Sequence, residues 1–355
     1  MTDHSGSNGH IDILSELLFG SEFPQSLFSE DAGGLERLLA LANSHHVILR
    51  TFPEINRTFE EHNNPNAPFV GIAIQDEKTR ISQALASLET ICDALIAAGH
   101  PVTVIKSLEH YPDLGSDLDL FSNASPAQIL RIMRQNFGAE LAPRSWGDRL
   151  ANKWNFVVPH LKELIEAHIG RLGQTGEQVA LGDSLIAHSC VREIEGHRFR
   201  VPDPADRLIL STLQRMYRHY YLRLCDVADT CTLLESQQVD FDRLRHLADL
   251  GGMWKGVSTF LRVVSDYVER YRGRGVFLPA AVQQAAQFGG DQVTFQRGFL
   301  RIPIMPHSAR LYAAQLGALI ANGELRGSMR LSLLPCLATA ALVEYRMTGS
   351  DKGVW

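Results

Sequence analysis

The sequence predicts an α+β fold: a small mixed sheet flanked by helices, followed by a mainly helical C-terminal domain. Three observations predict it. Apolar residues keep a helical spacing as far as Gly99, switch to short alternating runs between Val102 and Val201, and return to helical spacing from Asp203 onward. Long helix, strand, strand, helix and further strands within one stretch describe a small α+β unit. At 355 residues the chain can form two or three compact units. We place them at residues 1–75 (N-terminal helical region), 76–200 (α+β core) and 201–355 (mainly helical domain).

Residues through about Gly9 are polar and Gly/Ser-rich and are expected to fray. In "GGLERLLALANSHHVILRTF", Leu35, Leu38, Leu39 and Ala42 draw a helical stripe, and "EEHNNPNAP" breaks it. A long helix is expected from Asp76, with Ile81, Leu85, Leu88, Cys92 and Leu95 on one face and Gly99 as its stop. "PVTVIKS" and "SDLDLF" read as strands around the turn "YPDLG"; Ser125 and Pro126 then supply an N-cap and first-turn proline for a helix ending near Gly138. "KWNFVV" and "ELIEAHIG" read as two more strands, and "VREIEGHRFRV" as a hairpin around Gly196. Asp203, Pro204 and Asp206 form an Asp variant of the capping box. Nearly everything beyond reads as helix, broken at Gly251-Gly252, "RGRG" and Gly289-Gly290.

Composition narrows the function classes. Hydrophobic residues make up 45% and charged residues 21%, a globular profile. A net charge of -6 argues against broad electrostatic binding to nucleic acid. The five cysteines include no CxxC pair, so neither a zinc module nor a disulfide framework is indicated. The start of the chain lacks the pattern of a secretory signal, and the apolar run Leu331 to Val343 is short and contains Pro335, so a cytoplasmic protein without a membrane span is expected.

Chemistry concentrates in "GSDLDLFS". On a strand Asp117 and Asp119 share a face, and their repulsion must be offset by solvent, basic neighbours or a divalent metal ion. If "ELIEAHIG" is a strand beside it, Leu164, Glu166 and His168 share a face and Glu166 becomes a third carboxylate. The same residues in "LKELIEAHIGRL" also fit a helix with Glu163, Glu166 and His168 facing water, and a lone DxD also fits a solvated strand end. Three carboxylates suit Mg²⁺, which prefers hard oxygen ligands.

The run "VTVIKSLEHYPDLGSDLDLF" resembles the nucleotidyltransferase superfamily that includes DNA polymerase beta. Within it, the run is similar to a bacterial branch reading roughly "vvLKG…Yp…DiDLLV". "VPDPADRLILSTLQRMYRHYYLRLCDVADTCTLL" is similar to a later helical segment of that branch, so the resemblance covers most of residues 35–235. It implies a nucleotidyltransferase-type sheet and catalytic, metal-binding roles for Asp117, Asp119 and Glu166. It further implies Mg²⁺ or Mn²⁺, an NTP substrate, and transfer of a nucleoside monophosphate to a hydroxyl or amine acceptor. Lys106, Ser107 and Ser116 are the implied cofactor-binding residues. The acidic net charge favours a small molecule, peptide or protein as acceptor over RNA; oligomeric state is left open.

This chain departs from the superfamily at one point. Gly followed by Gly or Ser is favoured at the phosphate turn, where bare backbone approaches the nucleotide, but here the turn is Lys106-Ser107-Leu108. The departure keeps open a catalytically inactive nucleotidyltransferase-like module that binds a nucleotide or a partner. Among other candidates, His168 is placed for proton transfer or a structural hydrogen bond, and His219 for a pairing with Asp226 or Asp229. Arg215, Arg218 and Arg223 fit either a phosphate groove or a solvated face. "RYRGRG" fits a basic helix end, and Trp146, Trp154 and Trp254 fit base stacking or packing.

Overall fold

The computed structural model describes residues 5–348. Four helices come first: α1 (Ser5–Phe19), α2 (Ala32–Ser44), α3 (Ile48–Glu61) and α4 (Ala67–Ala97). The fraying expected through Gly9 falls partly outside the described residues, and from Ser5 the chain is helical. Helix α4 buries the anticipated stripe of Ile81, Leu85, Leu88, Cys92 and Leu95, but it starts at Ala67 rather than Asp76. Pro68 lies in its first turn, where a missing N–H costs nothing, so the proline opens the helix rather than blocking it.

The α+β core follows: β1 (Val102–Ile105), β2 (Asp117–Ser122), α5 (Pro126–Phe137), β3 (Glu140–Leu141), α6 (Trp146–Ala151), β4 (Lys153–Val157) and β5 (Leu164–Ile169). Ser125 caps α5 and Gly138 ends it in the left-handed conformation that favours glycine. The five strands lie in the order β1-β2-β5-β4-β3, with β2 and β5 parallel and the other pairs antiparallel. This mixed sheet, with the helices around it and the helical C-terminal region, is the expected α+β class. The helical alternative for "LKELIEAHIGRL" is not adopted.

One sheet face carries Leu118, Leu120, Ile165, Ala167 and Ile169 into a core shared with α4 and α5. On the other, Phe121 is fully buried, and burial of such a ring is worth about 1.5–3 kcal/mol. Phe121 packs on α7 (Ala180–Ala187), where a β-carbon on Gly182 would come within 2.6 Å of the ring. After the hairpin β6 (Cys190–Ile194) and β7 (His197–Val201) comes α8 (Pro204–Thr212). Asp203 accepts from the Asp206 amide, but the Asp206 carboxylate turns to Ser184 and Arg243, so the expected capping box is half formed.

The continuous helix expected beyond is interrupted. A π-helical turn at Leu213–His219 ends at Tyr220 with φ 55°, β8 (Tyr221–Leu222) follows, and helix resumes as α9 (Leu224–Glu235). Then come α10 (Phe241–Leu250), α11 (Trp254–Arg272), α12 (Ala280–Ala285), β9 (Thr294–Gln296), β10 (Phe299–Arg301), α13 (His307–Ala321), α14 (Leu325–Ser332) and α15 (Leu334–Thr348). Besides the β6–β7 hairpin, strands β8, β10 and β9 form a small three-stranded sheet inside the helical region. Buried residues of α1–α3 share one apolar core with α8–α11. Among the described residues no helix is long and apolar enough to cross a membrane.

Candidate functional site

Pairing brings two of the three predicted carboxylates, Asp119 and Glu166, together and leaves Asp117 on the same face outside the group of close ligand atoms. In the parallel β2–β5 register, Asp117 lies beside Leu164, Asp119 beside Glu166 and Phe121 beside His168. Strand periodicity then puts Asp117, Asp119, Glu166 and His168 on one face. His168 Nε2 lies 2.8 Å from Glu166 Oε1 and 3.1 Å from Asp119 Oδ1, so the tautomer protonated there donates to both. Ligand atoms of Asp119, Glu166 and His168 all fall within 4.8 Å of one another.

Two ammonium groups answer these charges. Lys106 Nζ is 2.6 Å from Asp119 Oδ1 and 3.8 Å from Glu166 Oε1; Lys153 Nζ is 2.6 Å from Glu166 Oε2 and 3.4 Å from Asp148 Oδ1. Burial raises the Glu166 carboxyl, but Lys153, the His168 hydrogen bond and Lys106 overcome it and hold the group well below its usual range. Asp117 is different. Burial first, then the charges of Asp119 and Glu166, push it up to about 6 against the pull of Lys153 and Lys106, and its carboxylate makes no hydrogen bond or ion pair among the described residues.

The loop before β2 is strapped down. Arg80 on α4 donates to the carbonyls of Leu114 and Gly115 and pairs with Glu77 and Glu163. Ser107 is buried; its hydroxyl accepts from the Asp119 amide at 2.7 Å and donates to the Asp117 carbonyl at 3.1 Å. That side chain braces the aspartate strand and does not face solvent. Ser116 is exposed and lines a separate 380 Å³ hollow with Arg80, Lys162 and Arg223. Lys106 takes φ 61° and ψ -60°, the strained γ-turn region, at the turn where glycine was expected.

The donor set fits a hard divalent cation. Carboxylate oxygens of Asp117, Asp119 and Glu166 are the ligands Mg²⁺ or Mn²⁺ takes. The Asp117 carboxylate has no direct ion pair, and His168 Nδ1 is buried without a partner among the described residues. Lys106 competes for Asp119. Beside Lys106 and His168 lies a cavity of 40 Å³, bordered by Gln174, Tyr217 and Arg218, about the size of one water.

Of the remaining candidates, Arg215 is fully buried against Asp226 at 2.7 Å, and Asp229 pairs with Arg50 and His110. His219 therefore does not take the expected aspartate: it lies 5.4 Å from the Tyr221 ring, and burial with neighbouring arginines pushes it down to about 2. The tryptophans pack with arginines: Arg149 over Trp146, Arg144 over Trp154 and Arg245 over Trp254. Sequence reasoning missed Lys153 and Asp148. Lys153 and Asn155 pair with His168 and Glu166 across β4–β5 and so share their face, which "KWN" alone does not reveal.

No protein-family model matches the chain, and no curated protein matches it. A solved structure similar to it is an antigenic nucleotidyltransferase-like protein from Paracoccidioides brasiliensis, at 10% identity and a TM-score of 0.30, over 43% of this chain and 75% of that one.

Proposed function

We propose that the chain is a metal-dependent nucleotidyltransferase. The observation that supports this reading is the β2–β5 register, which aligns Asp119 with Glu166 and leaves the Asp117 carboxylate on the same face without a direct ion pair among the described residues. Asp117, Asp119 and Glu166 would hold Mg²⁺ or Mn²⁺. When bound, the cation neutralises triphosphate charge and polarises the phosphoryl oxygens. Lys106, released from Asp119, would turn to the phosphates, and Arg218 borders the same cavity. The acceptor hydroxyl or amine attacks the α-phosphorus, the bond from that phosphorus to the bridging oxygen of the β-phosphate breaks, pyrophosphate leaves, and the acceptor's proton passes to Glu166 or to water. Positioning and charge neutralisation carry the rate.

A second reading, a catalytically inactive module that binds a nucleotide or a partner, is favoured by Lys106 lying on Asp119 beside a cavity too small for a nucleotide. Incubation with each α-³²P-labelled NTP, Mg²⁺ or Mn²⁺ and a cell extract separates the two. Label transferred by wild type but not by Asp117→Asn/Asp119→Asn supports transfer and delivers the acceptor. Folded wild type that transfers no label from any nucleotide sinks the enzymatic reading.

A further inference from the structure

We propose that the cleft between α1, α3, β6, α8 and α9 binds a small phosphomonoester with an apolar body. The cleft has a volume of 510 Å³, within the range of small-molecule sites. Arg50, Arg192 and Arg207 converge on it from α3, β6 and α8, and Leu17, Leu18, Pro112 and Leu233 supply an apolar wall. The site does not depend on the proposed transfer reaction.

Much of this hydrogen-bonding capacity is unspent. Arg50 is committed, to Asp229 and to the carbonyls of His110 and Tyr111. Arg192 donates to the Leu108 carbonyl at 2.9 Å. Arg207 Nε lies 3.6 Å from Glu109 Oε2 without a hydrogen bond, and Glu109 Oε1 is buried with no partner among the described residues. The Glu109 side chain is only 10% exposed, yet it lines the cleft. Guanidinium forks match phosphate oxygens, and the Glu109 Oε1 left without a partner fits a ligand that can share a proton with it.

That last feature selects phosphate over carboxylate. Burial, with Asp229 adding to it, pushes Glu109 up to about 6 against Arg207, His110 and Arg192, while Arg50 faces the same space from α3. A phosphomonoester loses its second proton near pH ~6, so one proton can bridge the two groups; a carboxylate ligand is already ionised there.

Calorimetric titration of the whole chain with phenyl phosphate, inorganic phosphate and benzoate tests the site. Saturable one-site binding of phenyl phosphate is expected, weaker for inorganic phosphate and absent for benzoate. Arg192→Gln should weaken phenyl phosphate about tenfold, as loss of one charge-assisted contact does, while Asp117→Asn leaves it unchanged. No saturable binding, equal binding of benzoate, an unaffected Arg192→Gln variant, or loss in Asp117→Asn overturns the proposal. Should Arg192→Gln misfold, phenylglyoxal modification of wild type read by mass spectrometry decides: phenyl phosphate must protect Arg192 and Arg207, and equal modification with and without it overturns the assignment.

Discussion

The short turn Lys106–His110 separates two sites of opposite character. On one side, Asp117, Asp119, Glu166 and Asp148 outnumber Lys106 and Lys153, and the closest contacts are between side chains. On the other, Arg50, Arg192 and Arg207 face Glu109 and Asp229, and both Arg50 and Arg192 also anchor on backbone carbonyls. Each side holds a carboxyl raised to about 6, Asp117 on the first and Glu109 on the second. The difference lies in what would relieve it: a cation at the first, an anion carrying a proton at the second. Charge excess, rather than burial, distinguishes the two.

Removing one charge from each side should sharpen this contrast most. Glu166→Ala strips buried Lys153 of its closest partner and leaves it Asp148 at 3.4 Å, so a loss of about 3–5 kcal/mol is expected in chemical denaturation. Arg192→Ala removes a half-buried side chain with one backbone hydrogen bond and should cost about 1 kcal/mol. Equal losses would mean that the carboxylate side is not the electrostatically tense one.

A smaller effect is expected at Asp117, with a sign set by pH. Its carboxyl is raised by burial and by Asp119 and Glu166, so the folded state holds its proton more tightly than the unfolded chain. The stability contributed is full below the unfolded value near pH ~4 and is lost as pH rises through about 6. With metal chelated, Asp117→Asn should therefore be more stable than wild type by about 3 kcal/mol at pH 8 and by only about 0.5 kcal/mol at pH 4, measured by thermal melting. A destabilised variant at pH 8 would show that the ionised group has a favourable partner in the fold.

How far these sites could be read from sequence follows from how each is built. Alternation in "DLDLF" and "EAHI" fixes which residues share a face, so Asp119 and Glu166 were expected on one side of the sheet if the two strands paired; that pairing and its register, Asp119 against Glu166, belong to the folded chain. Lys153 was not read, because one lysine opening a strand carries no pattern until its pairing with His168 is known. The break after His219 was equally silent: "RMYRHYYLRL" contains neither Gly nor Pro, and tertiary packing overrides its helical propensity. Arg50, Arg192 and Arg207 come from three distant elements, so their cleft exists only in the folded chain.

The smallest effect tests the turn itself. Lys106 combines a strained backbone with an ammonium group that reaches Asp119, and the two can be separated. Lys106→Ala and Lys106→Gly both remove the cation, but alanine keeps a β-carbon at φ 61° and ψ -60° while glycine adopts that conformation freely. The glycine variant should therefore be more stable than the alanine variant by about 1 kcal/mol, the strain of one such residue. Its turn would also regain the bare backbone that phosphate approach requires. If nucleotide transfer rises in Lys106→Gly relative to Lys106→Ala, the strained turn limits access to the carboxylates. Equal stability and equal activity would instead show that the turn relaxes, leaving the Lys106 charge as what divides the acidic side from the basic one.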